Sequence, residues 1–499
     1  MEKKLDSNKT LRTAMVSGAV WMVGMRWAIR GIGLISTVIL ARLLTPEDFG
    51  LVAMSMLFVA FLDIMTSFGA DLALIQRQDT TEKHYDVAWT LRLIQCLFVA
   101  LCIILISPLA EVYFDEPRVI DLMLVLSLSV AISGFENIGT VAFRKDLEFS
   151  KEFRLNVVAK LASFFITIGL ALLWRNYWAL AWGTVSARLI TVIFSYLLHP
   201  YRPRFSLVDW RGIWSFSQWM LLRNIGMYVR RKFDAFMVGG LFPASFMGIF
   251  TVSKEVAEMP TTEVVWPMAR ALFPGYAKIG NQPERLGRAY TKVLNTTAFI
   301  TIPLGLGLAL VSEPLVLLLL GGKWTGAIPV LPWLVLYSIV LTLSMSVQHV
   351  LMAIGRMKRL VKLVWFQTLI NTPVVIIAGL YGDITNIAQA QFVITTLSLP
   401  IFFYALISIS ITSWQAIIFA IARPLIAGLV MSVFVLLASD LAHSLIMDLI
   451  TRVSIGAVSF ILVSYLLWHI TGRPDGGEYL IIELLAKKVS RLKAILDTE

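Results

Sequence analysis

The sequence predicts an all-α polytopic membrane protein with about fourteen transmembrane helices, and three observations predict it. Of its 499 residues, 58% are hydrophobic and only 15% charged, with a mean hydropathy of +0.78. Soluble chains are roughly 45–50% apolar and about 25% charged, and this excess cannot be hidden inside one globule. Apolar windows of the roughly 20 residues that a helix needs to cross a bilayer recur along the chain. Basic residues then fall on one side of the resulting map. No stretch is polar enough to form a separate soluble domain.

The spans run over 13–42, 47–69, 86–112, 118–143, 154–174 and 177–199. They continue over 214–241, 244–270, 289–311, 325–354, 361–380, 384–409, 413–440 and 446–470. Turn chemistry joins them at Thr45-Pro46, Glu116-Pro117, Arg175-Asn176, Phe242-Pro243 and Gly382-Asp383. Lys3, Lys4, Lys9 and Arg12 precede a first span that is too long for a signal-peptide core and has no small-residue cleavage site, so it reads as a retained signal-anchor. With a cytoplasmic N-terminus, the inner segments hold 27 Lys and Arg residues. The outer segments hold 5: Arg42, Arg118, Arg175, Lys323 and Arg452. An odd number of spans in either half would mix the two sets, so both termini are expected inside. The net charge of +11 therefore points to a membrane surface, not to nucleic acid.

Cys96 and Cys102 lie six apart in one apolar run and read as small buried hydrophobes, not a disulfide or a metal pair. Trp174, Tyr177, Trp178, Trp324 and Trp468 are expected in interfacial belts. Residues 478–496 carry an apolar stripe against Lys487, Lys488, Arg491 and Lys493. They read as a basic amphipathic helix on the inner membrane surface, the alternative being a solvated tail.

A weak internal repeat links Pro46, Phe49, Gly50 and Leu51 with Pro243, Phe246, Gly248 and Ile249, six spans apart. It divides the chain into an N-lobe over 1–205, a C-lobe over 206–412 and a final span pair with the basic tail over 413–499. Anchored on those prolines, Arg26 and Arg223 fall at matched depth, each twenty residues upstream. Arg30 shares a helix face with Arg26. Around mid-membrane lie Arg26, Arg30, Arg188, Arg223, Arg230, Arg231, Lys232 and Lys254, against the acidic Asp234, Glu255 and Glu258. A charge at a span centre costs roughly 2.5–3.5 kcal/mol, so eight facing lipid would cost on the order of 20 kcal/mol. Local i,i+4 pairing accommodates Arg230 with Asp234 and Lys254 with Glu258, but Arg26, Arg30, Arg188 and Arg223 have no carboxylate at helical spacing.

The surplus implies a water-filled cavity with positive potential, suited to an anionic cargo. Arg92, Lys160 and Arg423, nearer the span ends, are expected to snorkel to headgroups. Asp63 and Glu136 serve either cation coupling or pairing with neighbouring basic residues. Trp21 and Trp27 flank Arg26 and read as core residues or as stacking surfaces for sugar rings.

No phosphate-binding Gly-x-x-x-x-Gly-Lys loop, no Gly-x-Ser-x-Gly elbow and no His-x-x-x-His pair occurs. A membrane glycosyltransferase or polymer ligase needs an external loop with acid and base residues. The longest external connection here, 312–324, holds only Glu313 and Lys323. The reading is therefore a transporter, not an enzyme, with no catalytic residues, no metal and no cofactor.

Several stretches resemble a known family. Ala41-Arg42-Leu43-Leu44-Thr45-Pro46-Glu47-Asp48-Phe49-Gly50-Leu51 is similar to the first connection of bacterial Wzx-type oligosaccharide flippases, in the polysaccharide-transporter branch of the multidrug/oligosaccharidyl-lipid/polysaccharide exporter superfamily. Phe68-Gly69 with Ile75-Gln76-Arg77, Phe143-Arg144-Lys145-Asp146-Leu147-Glu148-Phe149, Leu272-Phe273-Pro274-Gly275-Tyr276-Ala277-Lys278-Ile279 and Gly322-Lys323-Trp324-Thr325-Gly326-Ala327-Ile328-Pro329-Val330-Leu331 follow in the family's order. The likeness spans residues 15–470 and is greatest to the colanic-acid exporter (WzxC-like) group.

The resemblance implies two pseudo-symmetric six-helix lobes around a central cationic cavity that opens alternately to each side, and a flippase for undecaprenyl-pyrophosphate-linked oligosaccharide. It implies transfer from the inner to the outer leaflet of the bacterial cytoplasmic membrane, driven by a cation gradient. Membrane lipids, a polysaccharide polymerase and chain-length machinery are the implied partners. A small-molecule multidrug exporter of the same superfamily is the rival reading, and eight basic against three acidic span residues weigh against a cationic drug.

Overall fold

The computed structural model describes residues 2–64, 74, 81–146, 148–207, 228–261, 272, 275–438 and 444–479. Among these residues the chain is helical, without a β-strand. Its internal contacts divide it into two compact units, Met1–Thr251 and Val252–Glu499.

The first unit contains α1 (Glu2–Leu43), α2 (Pro46–Asp63), α3 (Glu82–Phe114), α4 (Arg118–Ser133), α5 (Phe149–Trp174) and α6 (Trp178–Leu198). It continues with α7 (228–241) and most of α8 (Ala244–Ala257). The second unit contains α9 (Pro283–Leu310), α10 (Leu331–Ala353), α11 (Met357–Tyr381), α12 (Ile384–Ile407), α13 (Trp414–Leu437) and α14 (Leu445–Ile470). Ten helices among the described residues are long and apolar enough to cross a membrane, or eleven if α4 and the bent segment after it form one span. Of the fourteen expected spans, 47–69, 214–241, 244–270 and 413–440 run partly outside the described residues.

Local chemistry explains where the helices turn. Thr45 caps α2 in a reciprocal box: the Asp48 N–H donates to Thr45 Oγ1 at 3.3 Å, and the Thr45 N–H donates to Asp48 Oδ2 at 2.8 Å. Pro46 fills the first helical position, where no N–H is required. Asp383 and Asn386 repeat the box at the start of α12. Asp115 and Arg175 end α3 and α5 in the left-handed region, each with φ 51°.

The fourth expected span is not one continuous helix. Between Arg118–Ser133 and Ile138–Lys145 the chain bends by 65°. Gly134 packs so closely on α3 that a Cβ there would lie 2.9 Å from Cys96 Cβ. Asn137, fully buried, takes up the backbone groups that the break releases. Its N–H donates to Ser195 Oγ at 3.0 Å, its Nδ2 to Tyr201 O at 2.8 Å, and its Oδ1 accepts from the Gly139 N–H at 2.9 Å. The helical periodicity of 118–143 carries no sign of this, because the partners lie on and after α6.

The second unit is built round Tyr290, Leu294, Leu343, Val347, Phe402 and Leu406. α9 runs against the α12–α13 turn so tightly that a Cβ at Gly287 would lie 1.9 Å from Ile411 O. After α14 the chain folds back as a strap. Trp468 Nε1 donates to Pro474 O at 3.1 Å, and the Gly477 N–H donates to Asn295 Oδ1 at 2.8 Å. Asn295 Nδ2 in turn donates to Ala420 O at 2.9 Å, so one amide ties the strap to α9 and α13. Trp324 and Trp468 are buried within the protein, and the Trp468 indole is tied to the strap. The amphipathic helix expected over 478–496 lies outside the described residues beyond 479.

Candidate functional site

The in-span charges separate into three groups. The first is two cross-helix ion pairs in the first unit. Arg92 Nη2 on α3 donates to Glu136 Oε2, just after α4, at 2.6 Å. Both side chains are about four-fifths buried, at 22% and 19% exposure. Arg188 on α6 stands 3.9 Å from Asp63 at the end of α2, and these side chains are 47% and 33% exposed. The first is a short charge-assisted bond that fastens α3 to the bend; the second is a loose contact in a more open setting. Arg92 is therefore not a snorkelling residue. Asp63 and Glu136 thus each stand beside an arginine of another helix.

The second group lies on α1, α7 and α8. Arg26 and Arg30 are half-buried on one face of α1, Arg230 is half-buried, and Arg231 and Lys232 are exposed. Asp234 is buried, and its Oδ1 accepts from the Ala235 N–H at 2.8 Å. Lys254, Glu255 and Glu258 are half-buried. Within the second unit the end of this segment is held by Thr261, whose Oγ1 donates to Glu258 O at 2.8 Å and meets Ser338 Oγ on α10 at 3.1 Å. Arg223 lies outside the described residues. On α1, Trp21 meets Phe153 edge-on with centroids 5.1 Å apart, yet both Trp21 and Trp27 are exposed, contrary to a core role.

The third group is structural. Arg423 on α13 does not reach toward headgroups. It is buried, with Nη1 3.3 Å from Glu478 Oε1 in the strap. Lys292 on α9 adds a contact to Asp475 at 3.4 Å. On α14, Arg452 donates to Asp448 Oδ1 at 2.7 Å and to Leu310 O at 3.2 Å. Partners far away in sequence turn these cations into clamps.

The internal repeat has a physical counterpart. Gly50 on α2 and Gly248 on α8, its matched glycines, meet at the crossing of the two helix starts. A Cβ at Gly50 would lie 1.6 Å from Ala244 O, and one at Gly248 would lie 1.8 Å from Pro46 O. Backbones approach this closely only where both residues lack a side chain. The repeat located the two turns but not their contact. α7 is held beside α2 and α3 by Tyr228, which donates to Leu57 O at 2.7 Å, and by Tyr113, which donates to Phe236 O at 3.0 Å.

Residues 39–329 match the family described as "Polysaccharide biosynthesis protein". Among relatives, the lipopolysaccharide biosynthesis protein WzxC of Escherichia coli K12 is 28% identical over 378 residues, covering 74% of this chain and 76% of that protein. The succinoglycan biosynthesis transport protein ExoT of Rhizobium meliloti 1021 is 24% identical over 447 residues, covering 88% and 90%. Among solved structures, the lipid II flippase MurJ in an inward closed conformation superposes with a TM-score of 0.67 at 15% identity, covering 91% of this chain and 99% of MurJ. The chain is thus a distant, low-identity relative of WzxC-type proteins within their exporter superfamily. It is a membrane transporter and not an enzyme.

Proposed function

Because the chain belongs to the polysaccharide biosynthesis protein family, we propose that it moves an undecaprenyl-pyrophosphate-linked oligosaccharide from the inner to the outer leaflet of the bacterial cytoplasmic membrane. The observation that carries this reading is the loose Arg188–Asp63 contact, 3.9 Å long and between partly exposed side chains. A guanidinium in an apolar span must face polar surroundings, and so long a contact leaves Arg188 able to attract the pyrophosphate of a lipid-linked cargo. Relatives named for lipopolysaccharide and succinoglycan biosynthesis, and a fold shared with a lipid II flippase, support the same class of cargo.

In this reading two six-helix lobes, 1–205 and 206–412, enclose a cationic cavity, with 413–499 added outside them, and both termini are cytoplasmic. Arg26, Arg30 and Arg223 contact the pyrophosphate; Arg188, Arg230, Arg231 and Lys232 steer it, and Lys254 adds to the field. The lipid tail stays in the bilayer while the headgroup crosses. A cation gradient drives the cycle, with Asp63 and Glu136 as the candidate coupling carboxylates. Asp234, Glu255 and Glu258 balance the remaining charge. Separation of the Gly50–Gly248 crossing provides the alternating opening, and the polymerase and chain-length machinery take the product.

The test is mass spectrometry of lipid-linked oligosaccharide in cells depleted of the protein and complemented with the wild type or Arg188→Glu. Undecaprenyl-pyrophosphate glycan accumulates on depletion and clears only with the wild type. Normal lipid-linked pools and normal surface polymer on depletion would refute the reading.

A further inference from the structure

The second unit carries a groove between the start of α11 and the end of α12 that plays no part in the transport reading. Its volume is about 330 Å³, and Arg359, Lys362, Phe366, Ile401, Tyr404 and Ser408 line it. The helical period builds it: 359, 362 and 366 share one face of α11, and 401, 404 and 408 one face of α12. Arg359 spends one of its five N–H donors on Ala405 O at 3.0 Å, which closes the α12 C-terminus and fixes the guanidinium at the mouth. Lys362 is exposed one turn further along, and Arg356 and Lys358 stand just outside.

Beyond these cations both helices present large apolar side chains outward: Trp365, Phe366 and Leu369 from α11, and Leu397, Ile401 and Tyr404 from α12. A polar mouth with two fixed cations, continuous with an exposed apolar wall on spanning helices, has the pattern of a phospholipid at a membrane interface. We propose that this groove is a site for an anionic diacyl phospholipid. The phosphodiester sits between Arg359 and Lys362, the Tyr404 and Ser408 hydroxyls face the glycerol region, and the acyl chains lie along Phe366, Ile401 and Leu397. The apolar wall offers room for chains and nothing for a glycan.

The experiment is native mass spectrometry of the full chain in detergent, titrated with phosphatidylglycerol and, separately, with phosphatidylcholine of the same acyl composition. The wild type should retain phosphatidylglycerol in preference, and Arg359→Gln with Lys362→Gln should weaken that retention roughly tenfold or more. Arg359 also closes a helix end, so Lys362→Gln alone, at an exposed position, separates lost binding from lost folding and should weaken retention on its own. Arg285→Gln, on α9, should leave it unchanged. Equal retention of the two lipids, or unaltered phosphatidylglycerol binding in both groove variants, would overturn the proposal. So would a groove-dependent gain of undecaprenyl pyrophosphate with no phosphatidylglycerol, which would assign the site to the cargo.

Discussion

Arg188 and Arg423 look alike as sequence, each a lone arginine inside an apolar span, yet the first unit and the second treat them differently. Arg423 is buried against Glu478 at 3.3 Å, in a strap that returns from the far end of the chain. Arg188 is 47% exposed and only 3.9 Å from Asp63 at its nearest. The effective dielectric separates the two cases. A dry pair cannot lose one partner without stranding a charge, whereas a wet pair contributes about 0–1 kcal/mol and exchanges partners freely. Span depth alone therefore does not separate a buried clamp from a half-exposed, loosely paired charge.

Removing half of the buried pair tests that contrast most severely. Arg423→Ala should cost about 3–5 kcal/mol, read as a large loss of thermal stability in detergent, because Glu478 is left buried without its partner. Arg423→Met with Glu478→Leu should recover most of that stability, and a double variant as unstable as the single one would show that the strap depends on charge and not on packing.

Next in size is the helix crossing. Gly50→Val places atoms where Ala244 O now sits, so the helix starts must part, at a cost typical of overpacking of about 1–3 kcal/mol. Cysteine-accessibility labelling beside Pro46 should rise in this variant while transport falls. Unchanged labelling would remove the crossing from the opening motion.

Arg188→Ala and Asp63→Asn should each change stability by no more than about 1 kcal/mol. Arg188→Ala should nevertheless abolish clearance of the lipid-linked pool. A stability loss as large as that of Arg423→Ala would erase the distinction between the two arginines. The smallest effect is expected at the α3–α4 turn, outside the spans. There the Arg118 guanidinium, 2.7 Å from Glu116 Oε1, holds the Glu116 carboxyl below the usual range. A depressed carboxyl contributes stability above its unfolded value, near about 4.3, and loses it as pH falls through the folded value. Glu116→Gln should therefore remove no more than about 1 kcal/mol at neutral pH and nothing under strongly acid conditions, as thermal melts at the two pH values would show.

Much of this was legible in the residues themselves. Composition, span-length windows, the basic asymmetry and turn pairs such as Thr45-Pro46 and Gly382-Asp383 act over a few residues or through bulk hydropathy. They determine the helical membrane class, the order of the spans and most of their limits. Which partner each in-span cation meets was not legible. Arg92 meets Glu136, Arg188 meets Asp63, Arg423 meets Glu478, and Gly50 meets Ala244 across tens to hundreds of intervening residues. The bend at Asn137 likewise depends on acceptors supplied by Ser195, on α6, and Tyr201, beyond it. Helical periodicity reports which face a residue occupies, but it holds no information about what that face packs against. That was decided only by tertiary structure, through close approach of small residues and the need of each buried charge or amide for a partner.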